Sequence, residues 1–258
     1  LSFVFSDLID FDALSYGKVR AGWAQVGDDV GAEEILTSYT LSNNPYTNPA
    51  TGSSQPLLYT DGTRVNPDIK PALNTSIEAG FDVRFFNDRI GLNATYYNEK
   101  REDEIIPVTL SSSNGVNSLL TNAGSSEREG VELSLNGVPV QTQNFRWDVT
   151  VNWATNETIV TSLPRDLESF QLSGTTAAFG FVNITHQLGE ELGQLRGAGI
   201  ARNDAGEPIL NPNRGLYVVE QHQYFGSVLP DFTGGIINQS SYKNFGVTAA
   251  IDYQKGGQ

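Results

Sequence analysis

Ser76-Ile77-Glu78-Ala79-Gly80-Phe81-Asp82-Val83-Arg84-Phe85-Phe86 is the stretch that decides the fold. Ile77, Ala79, Phe81, Val83 and Phe85 fall on one side of an extended chain, and Ser76, Glu78, Gly80, Asp82 and Arg84 on the other. A period of two with one apolar face is the mark of a β-strand, because successive side chains alternate across the pleat. Asn87 and Asp88 favour a turn, and beyond them Ile90, Leu92, Ala94 and Tyr96 alternate with Gly91, Asn93 and Thr95. The two segments form a hairpin.

Working outward, the same alternation recurs. Val19, Ala21 and Trp23 alternate with Lys18, Arg20 and Gly22; Val131, Leu133 and Leu135 with Glu132, Ser134 and Asn136; and Phe145, Trp147, Val149, Val151 and Trp153 with Arg146, Asp148, Thr150 and Asn152. Phe245, Val247, Ala249, Ile251 and Tyr253 alternate with Gly246, Thr248, Ala250 and Asp252. Phe232 to Ser240 carries the weakest pattern, because Gly234 and Gly235 interrupt it. About seven strands follow, near 14–26, 75–86, 89–105, 128–136, 145–156, 231–240 and 245–254, and no segment has helical periodicity. Their connections alternate long and short, with the long ones spanning about 27–74, 106–127 and 157–230, so the long connections emerge on one side.

A soluble β-sandwich has the same alternation but no reason to shorten every second loop. A transmembrane barrel does have one: short periplasmic turns, long extracellular loops, a lipid-facing apolar band with aromatic girdles, and a polar interior. Trp23, Phe85, Phe145, Trp153 and Tyr253 lie near strand ends on the apolar face, where a girdle belongs, although aromatics also fill soluble cores. Lys18, Arg20, Glu78, Asp82, Arg84, Glu132, Arg146, Asp148 and Asp252 fall on the polar face, where a water-filled lumen hydrates them. A sandwich core would equally exclude charge from its apolar face, so that feature does not separate the two.

Composition removes other options. The 258 residues carry 16 Lys and Arg against 30 Asp and Glu, a net charge of −14, which is the wrong sign for nucleic acid. With no Cys there is no disulfide, thiolate nucleophile or Cys-bound metal, and His186 and His222 lie far apart without ligand spacing, so neither a metal nor a cofactor is expected. No run of apolar residues is long enough for a membrane helix, and Leu1 to Phe11 lacks the pattern of a signal peptide. The absence of Met in so long a chain suggests a portion of something larger.

Particular words in the sequence resemble one family. Leu14-Ser15-Tyr16-Gly17-Lys18-Val19-Arg20-Ala21-Gly22-Trp23, with Gln25-Val26-Gly27, is similar to a barrel strand of the SusC/RagA group of TonB-dependent outer-membrane transporters. In the family's order follow Asn66-Pro67-Asp68-Ile69-Lys70-Pro71, Glu78 and Gly80, Phe85-Phe86-Asn87-Asp88-Arg89, Tyr96-Tyr97, Asn122-Ala123-Gly124 and Gly130-Val131-Glu132-Leu133. The stretch 145–156 with Trp147-Asp148, the segments 193–197 and 204–206, Leu229-Pro230-Asp231-Phe232-Thr233-Gly234-Gly235 and Tyr253-Gln254-Lys255-Gly256-Gly257 complete the series, from about 14 to 257. The resemblance implies an all-β, antiparallel transmembrane barrel portion, about seven strands of a barrel of about 22. It also implies a place in the outer membrane of a Bacteroidetes-like bacterium, and TonB-energised import of oligosaccharides or peptides. A SusD-like surface lipoprotein would close over the mouth. Residues 1–258 are then expected to be part of the barrel domain, without plug domain or signal peptide. Seven being odd, a neighbouring strand is expected outside them.

No catalytic residue is nominated. Glu102-Asp103-Glu104 and Glu190-Glu191 are acidic runs beside loops, read as solvated charge and not as a glycosidase pair. Asn203-Asp204-Ala205-Gly206-Glu207 lacks the ligand spacing of a calcium loop and is read as a turn. Gly193, Gly197 and Gly199 do not form a phosphate cradle, and the Asn-X-Ser/Thr triplets at Asn74, Asn93, Asn156, Asn183 and Asn238 are read as chance. Substrate contact is assigned to the long loops, where Tyr39, Tyr46, Tyr59, Phe170, Phe179, Phe181, Tyr217, Tyr224 and Phe225 either stack on a ligand or lid or pack the loops together. The rival functions are a soluble β-sandwich glycan-binding module and a secreted β-rich hydrolase.

Overall fold

The computed structural model describes residues 1–9, 11–31, 39–60, 62–111, 113, 115–164, 167–176 and 182–257. Its body is one sheet of eight antiparallel strands: β1 (Ser2–Val4), β2 (Leu14–Asp28), β3 (Ala72–Phe85), β4 (Ile90–Glu102), β5 (Ser125–Gln141), β6 (Phe145–Ser162), β7 (Pro230–Tyr242) and β8 (Phe245–Gly256). Each strand pairs with the one that follows it in the chain, so the sheet is an uninterrupted up-and-down meander. In such a meander successive connections alternate between the two ends. The short links 86–89, 142–144 and 243–244 therefore share one end, and 29–71, 103–124 and 163–229 share the other.

All seven expected strands are present, lengthened or trimmed by a few residues. The segment expected at 89–105 stops at Glu102, because Asp103 takes a positive φ of 55° and turns the chain; Ile105–Thr109 belongs to a separate loop sheet with Ser118–Asn122 and Thr63–Val65. The Asn87-Asp88 turn runs from Phe86 to Arg89, with Phe86, Asn87 and Asp88 all at positive φ. An eighth strand, β1, was not expected, since three residues are too short to show a period. The main sheet of the described residues thus has eight strands, one more than expected.

The register puts the expected faces where alternation placed them. Lys18 pairs with Asp82, Arg20 with Gly80 and Gly80 with Thr95, while Val19, Phe81, Ala94, Leu133, Trp153, Gly234 and Tyr253 form a continuous row on the opposite face. That apolar face is bare: Trp23 is 68% exposed, Ile251 60% and Val247 69%, and no second sheet covers it among the described residues. A sandwich requires such a cover. Among the described residues the buried apolar ones are Val160, near the loop end of β6, and Ala123 and Phe170, within the long connections.

The edge of the apolar band is oblique to the hydrogen-bonded rows. Trp23 and Ile77 end it on β2 and β3, where the next residues on that face of β4, β5 and β6 in the same row are Asn98, Glu129 and Glu157. On β6 it ends at Trp153, two rows lower, and the opposite edge drops likewise from Phe85 on β3 to Phe145 on β6. Two rows are four residues, about 13 Å of rise, and four strand spacings from β2 to β6 are about 19 Å, which gives a tilt of roughly 35°. Strands of transmembrane barrels tilt by about 35–45°. From β6 to β8 the edge keeps to one row, with Phe145, Tyr242 and Phe245 in register.

Candidate functional site

The polar face is built around Arg20. Its guanidinium donates to Asp82 at 2.8 Å, to Asn93 at 3.3 Å and to Thr95, and Asn93 in turn donates to Asp82. Gly80, between Arg20 and Thr95, leaves room for the guanidinium: a Cβ there would come within 2.9 Å of Arg20 Nε. Three strands, β2 to β4, are thereby cross-linked on their polar side. Arg146 and Asp148 form a second pair at 2.6 Å near the short turns. Every charged residue assigned to the lumen from the sequence falls on this face.

Where the strands rise toward the long loops, the polar face deepens into a hollow of about 280 Å³ lined by Arg101, Glu104, Ser126, Arg128, Asn156 and Thr158. Leu192 and Leu229 of the third long loop, with Pro230 at the start of β7, close it. Glu104 accepts a hydrogen bond from Ser126 Oγ, and Asn74 donates to Glu99 at 2.5 Å, which also holds Arg101 at 3.2 Å. Arg128 lies over the Tyr97 ring at 5.5 Å, and its buried Nε has no hydrogen-bond partner among the described residues. A buried donor left unpaired is costly unless something supplies an acceptor. The hollow therefore offers a solute two guanidinium groups beside acceptors held in place by neighbours.

Sequence reading did not single out this cluster. Arg128 falls in line with Gly130 and Glu132, so the signal is the strand's own period, extended past its expected start at 128 to the true start at Ser125. Of the acidic runs, Glu102 and Asp103 are exposed, whereas Glu104 belongs to the hollow. Glu190 is exposed in a turn. Burial pushes the Glu191 carboxyl above the ordinary carboxylate range, with Glu157 and Asp231 adding repulsion. Asn203 closes its own turn: its Oδ1 accepts the amides of Ala205 at 3.1 Å and Glu207 at 2.9 Å. Gly197 and Gly199 lie within the strand Gln194–Ile200 of a four-stranded loop sheet with Ser169–Thr176, Val182–Gln187 and Val219–Ser227. Asn93, the one Asn-X-Ser/Thr site expected mid-strand, is engaged with Arg20 and Asp82.

The loop aromatics divide. Phe170 is 7% exposed and packs the loop sheet beside His186, its cross-strand partner. Tyr39, Tyr46, Tyr59, Tyr217, Tyr224 and Phe225 are exposed, and Arg196 lies over the Tyr224 ring at 5.4 Å. Phe179 and Phe181 lie outside the described residues. His186 accepts the Gly193 amide on Nδ1 at 3.4 Å, and burial pushes its imidazole below the ordinary histidine range while Glu104 pulls the other way.

Residues 9–255 match the family described as TonB dependent receptor-like, beta-barrel. The chain is 27% identical to TonB-dependent receptor P26 of Formosa agariphila over 94% of its own length and 28% of the relative's. It is 30% identical to TonB-dependent receptor SusC of Bacteroides thetaiotaomicron over 60% of its length and 16% of the relative's. The fold superposes with a TM-score of 0.76 on the structure of the RagAB peptide transporter, at 21% identity, covering 98% of this chain and 28% of that one. The match thus spans between 16% and 28% of the length of these relatives.

Proposed function

The chain belongs to the TonB-dependent receptor-like β-barrel family, as a SusC/RagA-type outer-membrane barrel portion, and from that premise we propose that it forms wall and extracellular loops of an importer for oligosaccharides or peptides. The observation that carries this reading is the pairing of a bare, obliquely banded apolar face with a charged face cross-linked by Arg20 and Asp82. Such a sheet is stable only with hydrocarbon on one side and water on the other. In this reading the long loops face outward and receive a SusD-like surface lipoprotein, onto which the exposed tyrosines Tyr39, Tyr46, Tyr59 and Tyr217 are available to pack. The plug that contacts the TonB complex belongs to residues other than these 258. The chain performs no chemistry on its cargo: Arg101 and Arg128 bind oxygen atoms of a passing solute in the hollow beneath the loops. The RagAB peptide transporter, whose fold this chain shares, supports the peptide class.

The test is uptake by cells carrying the intact gene as their one transporter of this type. Labelled oligosaccharide and peptide pools are offered with and without collapse of the proton gradient. Energy-dependent accumulation of one pool, reduced by Arg128→Gln without loss of barrel folding, is the expected result. Accumulation that ignores the gradient, or depends on hydrolysis of the pool, overturns the proposal.

A further inference from the structure

The lipid-facing band contains three glycines, Gly17 on β2, Gly137 on β5 and Gly234 on β7, and two of them are covered by aromatic rings of the chain. A Cβ on Gly17 would run into the Phe5 ring, and one on Gly234 into the Tyr253 ring. Such cover is the usual remedy for a glycine in a sheet. Gly137 has none. The nearest atom to a Cβ built there is the Arg89 carbonyl oxygen at 3.8 Å, and its φ is not positive, so neither crowding nor backbone conformation calls for glycine.

What the missing side chain leaves is an open groove of about 790 Å³ on the apolar face, walled by Ile90, Leu135, Trp147, Val149 and Val151, where the register of β5 and β6 shifts between Gly137 and Val140. At the turn end of the groove stand Phe86 and Arg89. Arg89 is exposed, and among the described residues no hydrogen bond or ion pair engages its side chain. Short turns lie on the periplasmic side of outer-membrane barrels, so this cation stands at the inner leaflet. The geometry points to a bound phospholipid of that leaflet, one acyl chain lying over Gly137 and the phosphate held by Arg89. The apolar walls match hydrocarbon, and a guanidinium matches phosphate, to which it donates paired, charge-assisted hydrogen bonds. The inference requires an outer-membrane barrel and is independent of what the barrel imports.

The test uses the intact protein extracted in mild detergent. Native mass spectrometry follows retention of added phosphatidylglycerol and of diacylglycerol with the same chains. One phosphatidylglycerol per protein is expected to be retained over diacylglycerol by about tenfold, the ratio set by a single charge-assisted contact. Arg89→Gln should abolish the preference, and Gly137→Leu, which obstructs the groove at its floor, should reduce retention of both lipids. Val247→Leu, elsewhere on the same face, should change neither, and migration of unheated samples on gels confirms that each variant is a folded barrel. Equal retention of the two lipids, or a preference that survives Arg89→Gln, overturns the inference. So does efficient disulfide dimerisation of Gly137→Cys, in an intact protein whose only cysteine is the introduced one, because the groove would then be filled by a second copy.

Discussion

Arg20 shows what a single residue contributes to this wall. It reaches Asp82, Asn93 and Thr95 on two neighbouring strands, and it and Asp82 are only 28% and 27% exposed, so removing one partner strands the other in a half-dry site. Asp82→Ala is expected to lower the unfolding free energy in lipid vesicles by about 1–3 kcal/mol, read from denaturant titration of tryptophan fluorescence. Arg146→Ala should leave the same titration unchanged, because Arg146 and Asp148 are neighbours on one exposed strand segment. Glycines sort by the same logic. Gly22 faces open lumen with nothing within 4 Å of an added Cβ, so Gly22→Ala is tolerated; Gly234→Ala meets the Asn152 carbonyl oxygen at 2.8 Å and displaces the Tyr253 ring, at about 1–3 kcal/mol on the same measurement. The sequence placed Arg20 and Asp82 on one face correctly, since alternation is enough for that. It could not show that Gly234 is a seat for a ring, because Tyr253 arrives from a different strand, and this is why the segment containing Gly234 gave the weakest strand pattern.

Strands carry their information in the contrast between adjacent positions, and β8 offers a clean instance. Ala249 and Ala250 are consecutive alanines, the first in line with Val247 and Ile251 and the second paired with Ile237 on the lumen side. Ala249→Arg should cost about 2–4 kcal/mol of folding free energy in lipid, and Ala250→Arg close to nothing. Opposite ranking in a vesicle-folding assay would invert the assignment of faces. The long loops obey different rules. Their strands, such as Val182–Gln187 and Gln194–Ile200, are short, so too little of a period accumulates to announce them. The burial of Phe170 was equally invisible, since it follows from packing at the junction with the barrel. One consequence of that packing is measurable. His186 is held below its ordinary pKa, so the unfolded loop takes up a proton near about pH 6.5 before the folded loop does. Its contribution to loop stability is therefore present above that value and lost as pH falls toward the depressed folded value. Glu191, raised by burial, contributes with the opposite sign, in the window that opens above about pH 4.5. The histidine's share is read as the difference between the native chain and His186→Gln in amide exchange of Gly193. Protection of that amide should weaken between about pH 7.5 and 5 in the native chain by more than in the variant.

At the scale of the molecule, surface area and tilt carry the argument for lipid. A compact chain of 28.0 kDa is expected to expose about 11,000 Å², and this one exposes 17644 Å². Water does not tolerate that excess while it includes Trp23, Phe81, Leu135, Val247 and Ile251 on one face, so another phase or more protein must cover it. The drift of the aromatic edges chooses between them. A covering sheet fixes no relation between its boundary and the hydrogen-bonded rows, whereas a flat membrane surface cuts tilted strands obliquely. Trp23 on β2 and Trp153 on β6 lie two rows apart in register. In strands standing upright their depths would differ by about 13 Å. With the tilt of roughly 35° derived from the band edges, the two indoles come to the same depth, at the loop-side interface. The chain's three tryptophans are Trp23, Trp147 and Trp153, and each is left as the sole emitter when every other tryptophan of the intact protein is replaced with phenylalanine. Quenching by lipids brominated at successive acyl positions should then give the same depth profile for Trp23 and Trp153 in the intact protein, and a profile displaced toward the turn side for Trp147. Profiles for Trp23 and Trp153 separated by the full register offset would mean that the strands do not cross the bilayer at this angle, and no quenching of either would mean that protein covers the face.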